Sequence, residues 1–273
     1  MVLNWIHAKD YTMDTLLLLD RWVIRYWMRE CKPYNTAGRD YRADMGKALS
    51  CYPHVSHYCK RKAPECAEFV DAVLSLVPES LSLEEARAAE TAILDYHQSF
   101  VVYAYPEVME EVNYIRCWRP ERLYDLVDLA GRIVLDVGAG TGRLAFAAAP
   151  LAKRVYASEP CDVMREYMRD RIQRERVANM KVLDGVATDL AFEDNTFDVV
   201  MAGHVVGDDF DRELGEMIRV TKPGGWLVCC NGDDEFKREE PNRELVERGF
   251  AFVRYESSEG GIIYNYRKQV VKE

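Results

Sequence analysis

No apolar run in this chain approaches the roughly 18 residues that a membrane-spanning helix needs. The leucine tract Leu16 to Leu19 is bracketed by Asp10, Asp14 and Asp20. No basic region with a cleavage site accompanies it, so it does not read as a signal peptide. A basic excess is missing as well: 36 Lys and Arg stand against 46 Asp and Glu, a net charge of −10. The balance is 15 to 20 before Gly131 and 21 to 26 from there on. Neither half carries the clustered positive charge that phosphate-backbone binding requires, and Lys60-Arg61-Lys62 is too short to supply it. No nucleic-acid partner is expected. The eight cysteines are irregularly spaced, so they form no disulfide framework and read as free thiols of a reducing cytoplasm. There is no internal repeat and no low-complexity tract. What is present is core-forming material: 273 residues, 48% hydrophobic and 30% charged, enough for two modest domains.

Up to about residue 130 the pattern is helical. Leu16, Leu19, Trp22, Val23, Tyr26 and Trp27 repeat at helical spacing, as do Cys66, Phe69, Val70, Val73, Leu74 and Val77 before Pro78. Ser82 and Glu85 have the spacing of a capping box that opens a third helix through Phe100. Pro106 and Pro120 suit the first turns of two more helices, the last closed by Gly131. The tract 31–64, rich in Gly, Pro, Tyr, His and Cys, reads as a long ordered loop.

Beyond residue 131 short apolar runs alternate with charged helical segments. The runs are Ile133–Leu135, Val155–Ala157, Lys181–Leu183, Val199–Ala202 and Trp226–Cys230; the helices fall at 160–176 and 209–219. That alternation predicts a parallel sheet covered on both faces. Phe250–Arg254 and Ile262–Tyr266 flank Ser-Ser-Glu-Gly-Gly as a hairpin, which makes the final strand antiparallel.

The buried run Ile133–Val137 enters the glycine-rich turn Gly138-Ala139-Gly140-Thr141-Gly142, and a helix follows from Arg143. Glycines there let the backbone turn sharply and approach a ligand closely. The dinucleotide fingerprint wants its third glycine three residues after the second. Arg143 occupies that place, and Gly142 comes one residue early. Taken with YASEP at 156–160, DLAFEDNTFDVV at 189–200 and EMIRVTKPGGWLV at 216–228, the chain resembles the class I S-adenosylmethionine (SAM) methyltransferases. It is most similar to the small-molecule branch that includes the ubiquinone and menaquinone enzymes. The resemblance covers about residues 114–269. It implies an α/β fold: a Rossmann-like seven-stranded sheet with the last strand antiparallel, SAM-binding over 114–273. An all-helical N-terminal cap over 1–113 is expected to hold the substrate.

The resemblance also implies residue roles. Asp136 faces the methionine end of SAM. Gly138, Ala139, Gly140 and Gly142 line that end with backbone, and Thr141 lies near the carboxylate. Glu159, followed by Pro160, accepts from the ribose hydroxyls. Met164 packs on adenine or in the core. Where the family commonly has an acid for the adenine amino group, this chain has Val186, which leaves the Ala187 backbone, Asp184 or Asp189 to read the base. After the fourth strand, Gly203 and His204 meet the amino end of SAM. His204 is also the candidate general base, since its ordinary pKa lies near neutrality, or else it packs under the cofactor.

The substrate side rests on aromatics. Trp22, Trp27, Tyr34, Tyr41, Tyr103, Tyr105, Tyr114 and Trp118 form either helix core or a wall over the methyl group, with Tyr105 and Tyr114 the best placed for the latter. Cys51, His54, His57 and Cys59, with Cys31 and Cys66 nearby, are the residues that would hold zinc. They lack the paired Cys-x-x-Cys spacing of common structural sites, so no metal is expected. The sequence thus reads as a cytoplasmic enzyme that methylates a small molecule. The alternatives are a protein or peptide methyltransferase and a non-catalytic SAM sensor or scaffold.

Overall fold

The computed structural model describes residues 7–30, 39–97, 99–232, 239–258 and 260–272. The chain divides into two compact units, Met1–Val108 and Met109–Glu273.

The first unit is helical throughout its described residues. Instead of one helix over 16–29 there is a 3-10 segment, Met13–Leu18, then α1 (Arg21–Arg25), then a π-turn, Tyr26–Glu30. Asp20 causes the break: its backbone is extended and its side chain accepts the Val23 amide as an N-cap. The tract expected to be a loop contains two helices, α2 (Tyr41–Ser50) and α3 (Pro53–Lys62). There the residues that suggested a loop serve as helix punctuation. Asp40 caps α2 by accepting from Arg42 and Ala43, and Pro53 opens α3 where its missing N–H costs nothing. Gly46 lies within α2 because the backbone of the next helix is so close: a Cβ would fall 2.1 Å from the Val73 carbonyl oxygen. Cys31 and Tyr34 lie outside the described residues.

Helix α4 (Ala67–Leu74) carries that carbonyl. Helix α5 (Leu83–Tyr96) opens on the Ser82–Glu85 capping box, both of whose hydrogen bonds are made. It stops at His97, short of Phe100, and α6 (Ser99–Ala104) follows. Met13, Val23, Met45, Leu49, Val70 and Ile93 are buried in the core of this unit.

Helix α7 (Pro106–Glu111) leads into the second unit, followed by the one-turn helices α8 (Asn113–Arg116) and α9 (Glu121–Tyr124). Gly131 does not close α9; it turns the chain, at φ +69°, into the first strand. The strands are β1 (Ile133–Val137), β2 (Arg154–Ser158), β3 (Met180–Leu183), β4 (Phe197–Ala202), β5 (Thr221–Cys229), β6 (Ala251–Glu256) and β7 (Ile262–Gln269). Their order in the sheet is β3-β2-β1-β4-β5-β7-β6. The first five run parallel, and β7 lies antiparallel between β5 and β6. Helices α10 (Arg143–Ala148), α11 (Asp162–Glu175), α12 (Phe210–Val220) and α13 (Arg243–Glu247) complete the unit.

Strand alternation sorts the core into two layers. Val134, Val155, Val199, Met201 and Val228 are buried in one cluster; Leu135, Val137, Val200, Leu227 and Tyr266 are buried in the other. Each such side chain taken from water is worth about 1.5–3 kcal/mol. A sheet buried on both sides exposes little but its strand ends. The C-terminal ends of β1, β2 and β4 therefore carry the candidate site, as in open α/β sheets generally.

Candidate active site

Three left-handed glycines shape the turn after β1: Gly138, Gly140 and Gly142 have φ of +63°, +56° and +92°. At Gly138 a side chain is excluded by space as well, since its Cβ would stand 2.4 Å from Val205 Cγ2. The Ala139 amide donates to the Ser158 carbonyl at 3.1 Å, which ties the turn to the end of β2. Thr141 is buried, and its Oγ1 has no partner.

Asp136 is the buried acid of β1. Its Oδ2 accepts the Ala145 amide at 2.9 Å. Burial pushes its carboxyl up to about 7; Arg143 and the Ala145 amide pull it down, and Glu159 adds to the rise. Glu159, also buried, spends one oxygen on the Gly140 amide at 2.8 Å and the other on the Cys161 amide at 2.9 Å.

On the far side of β2, Arg165 donates to the carbonyls of Glu159 and Pro160 and to Asp184 Oδ1, at 2.8, 2.7 and 3.0 Å. Asp184, one of the three alternatives for reading adenine, is thus engaged by a guanidinium. Val186 and Ala187 are half-buried, and Val186 forms a bridge with Asp189. Met164 is fully buried.

The segment after β4 carries a conformational cost. His204 has φ +61°, a left-handed value that costs a non-glycine residue about 1–3 kcal/mol. Its Nε2 accepts the Gly232 amide at 2.7 Å, so Nε2 is the unprotonated nitrogen. The Tyr114 ring meets it edge-on at 5.3 Å. Beyond β4 lies a cavity of about 300 Å³ whose lining includes Ala202, His204, Val205, Val206, Phe210, Cys229, Asn231 and Tyr266.

Two contributors were not evident from the sequence. Arg143 reaches from the glycine turn to the ends of β4 and β5: Nη2 donates to the Cys230 carbonyl at 2.9 Å, and the guanidinium lies over the Trp118 ring at 4.6 Å. The same Nη2 fills the space of a side chain at Gly203, where a Cβ would stand 2.4 Å from it. Met109 places its sulfur 3.3 Å from where a Cβ on Gly140 would be. The only sequence signal for Arg143 was its place in the glycine fingerprint; Met109 had none.

The candidate metal ligands do not converge. Among the described residues no three of Cys51, His54, His57 and Cys59 bring ligand atoms within 4.8 Å of one another. His54 is paired with Asp14 at 2.6 Å. Cys59 faces the core with its thiol pushed up to about 12 by burial, whereas His57 and Cys51 are exposed. Tyr105 belongs to the first unit and is exposed.

Residues 135–229 match the methyltransferase domain family. A demethylmenaquinone methyltransferase of Clavibacter sepedonicus is 33% identical over 135 residues, 49% of this chain and 52% of that protein. The Thermobifida fusca enzyme of the same name is 37% identical over 120 residues, 42% and 50% of the two chains. The chain thus spans about half the length of these curated relatives. A SAM-dependent methyltransferase structure from Aquifex aeolicus superposes with a TM-score of 0.50 at 20% identity, over 62% of this chain and 98% of that one. The second unit thus carries a segment that matches a methyltransferase domain and shares its fold with a SAM-dependent methyltransferase.

Proposed function

We propose that the chain binds SAM at the glycine turn and transfers its methyl group to a small molecule. The observation that carries this reading is the cradle at the C-terminal end of β1. Left-handed glycines stand between Asp136 and Glu159, beside a buried Thr141 hydroxyl that lacks a partner. These residues suit the cofactor: Glu159 places a carboxylate acceptor at the end of β2, where the ribose hydroxyls would lie, and Thr141 has a donor and acceptor for the methionine end. Gly138, Ala139, Gly140 and Gly142 supply backbone, and Pro160, Met164, Val186 and Ala187 supply the adenine side.

Bound there, SAM supplies a methyl group already activated on a sulfonium. The chain's part is alignment and exclusion of water. We assign the acceptor to the cavity beyond β4, whose volume of about 300 Å³ lies at the small end of small-molecule pockets. Its lining is mixed: Val205, Val206, Phe210 and Tyr266 contribute apolar and aromatic surface, and His204, Asn231 and Asn242 contribute polar groups. The quinone-type acceptor implied by the relatives' names favours an aromatic small molecule over a peptide, and Phe210 and Tyr266 offer such a ring aromatic partners. Tyr114 and Tyr105 are assigned to the acceptor side. His204 could serve as general base only by giving up the Gly232 amide, so we assign it to shaping the loop.

Titration calorimetry tests the reading. SAM and its demethylated product S-adenosylhomocysteine should bind and NAD should not; NAD binding of comparable affinity would overturn it. Transfer of a labelled methyl group into a panel of small aromatic acceptors then tests the substrate class.

A further inference from the structure

Arg143 offers more donors than the protein answers. Its Nη1 is buried without a partner; its remaining neighbours are the Cys230 thiol and the Tyr114 hydroxyl. Asp136, an acid whose charge it feels, spends an oxygen on the Ala145 amide instead. One neighbouring group is in the same state. Thr141 Oγ1, two residues earlier in the turn, is buried and unpartnered, whereas Trp118, the ring on which the guanidinium rests, has the Cys230 thiol as a neighbour for its indole N–H. Buried polar groups nearly always have partners, and a buried cation without an anion is costly. A cationic Nη1 left without an acceptor, in the same turn as an unpartnered hydroxyl, calls for an anion.

The requirement is narrow. Arg143 and Thr141 flank Gly142 in the turn that faces the cofactor under the reading above, on which this step rests. A guanidinium matches a planar, two-oxygen anion and can bind it through parallel hydrogen bonds. SAM carries one such group, the carboxylate of its methionine moiety. We infer that Arg143 holds that carboxylate, with the Trp118 indole fixing the plane of the guanidinium and the Thr141 hydroxyl as a second donor.

The test compares two ligands on the full-length chain by calorimetry. S-adenosylhomocysteine has the carboxylate; 5′-methylthioadenosine keeps the nucleoside and the thioether but lacks the amino-acid part. Arg143→Met should weaken S-adenosylhomocysteine by about ten- to a hundredfold, the loss of one charge-assisted hydrogen bond. It should leave 5′-methylthioadenosine within about twofold of the wild type. Arg143→Lys, which keeps the charge without the fork, should fall between, and it decides the question by the same comparison if the Met variant does not fold. An equal loss for both ligands would show that Arg143 merely supports the fold and would overturn the inference, as would no loss for either. A wild-type chain that binds neither ligand would overturn the methyltransferase reading itself.

Discussion

The carboxylate of Glu159 crosses from the end of β2 to take the Gly140 amide at 2.8 Å, so the side chain that we assign to the ribose also closes the glycine turn. Its other oxygen holds the Cys161 amide at the entry to α11. Removing it should act twice. Glu159→Ala leaves two backbone amides without an acceptor, each charged bond being worth about 1.5–3 kcal/mol, and removes the acceptors for two ribose hydroxyls. The variant should melt earlier and lose more SAM affinity than Asp136→Asn does. Thermal melting and calorimetry on the two variants check both effects. A Glu159→Ala chain that binds SAM like the wild type would take the ribose role away from this residue.

Asp136 makes the stability of the second unit depend on pH in an unusual direction. Its carboxyl is raised from 3.8 to about 7, chiefly by burial. Between those values the folded state holds a proton that the unfolded chain has released, so stability falls as pH rises from about 4 to 7 and stays low above. Asp136→Asn keeps an acceptor for the Ala145 amide and removes the titration. Denaturant unfolding at pH 5 and pH 8 should show a smaller difference in the variant, with the gain in stability at pH 8. An unchanged pH dependence would mean that Asp136 is ionised in the fold.

The first unit should respond to acid in the opposite sense. His97 is buried with its pKa lowered to about 4 by desolvation, and its Nε2 lies 2.7 Å from the Tyr41 hydroxyl. The unfolded chain binds a proton there near pH 6.5 and the folded one does not, so stability drops as pH falls from about 6.5 toward 4. Replacing His97 with Gln, which does not titrate, should remove that slope. Circular dichroism of the helical signal between pH 7 and pH 4 follows it, and retention of the slope in the variant would assign the acid sensitivity to other groups.

How much of this was legible in the sequence depended on the range of the interactions. Parallel strands buried on both faces must be short apolar runs, so β1 to β5 stood out at once, and the hairpin before the C-terminus marked β7. The Ser82–Glu85 box was readable because its bonds span three residues. Helices α2 and α3 were hidden, because Gly46 and Pro53 carry the same letters whether they break a helix, pack one closely or begin one. Glu159 was readable as an acid at a strand end, but its bond to Gly140, 19 residues away, depends on β1 and β2 lying side by side. Arg143 is the extreme case. Its contact with Cys230 joins residues 87 apart and exists only because β4 and β5 end together.

The last expectation concerns where cofactor binding resides. Asp136, Glu159, Thr141, Arg143 and Trp118, as well as Tyr114 and His204, all belong to the unit that begins at Met109. That unit has two buried clusters of its own. A fragment that starts at residue 106, keeping α7 whole, should therefore fold and bind SAM with nearly wild-type affinity. Methyl transfer is a different demand. It needs the acceptor held in line and water kept out, and Tyr105, exposed in the first unit and assigned above to the acceptor side, is missing from the fragment. Transfer to the acceptor should be lost while binding persists, and Tyr105→Ala in the full chain should likewise lower transfer more than SAM affinity. Calorimetry and a labelled-methyl assay, run on the fragment and the full chain together, separate the two. Undiminished transfer by a soluble, SAM-binding fragment would remove the first unit from the substrate site and place the whole reaction in the sheet domain.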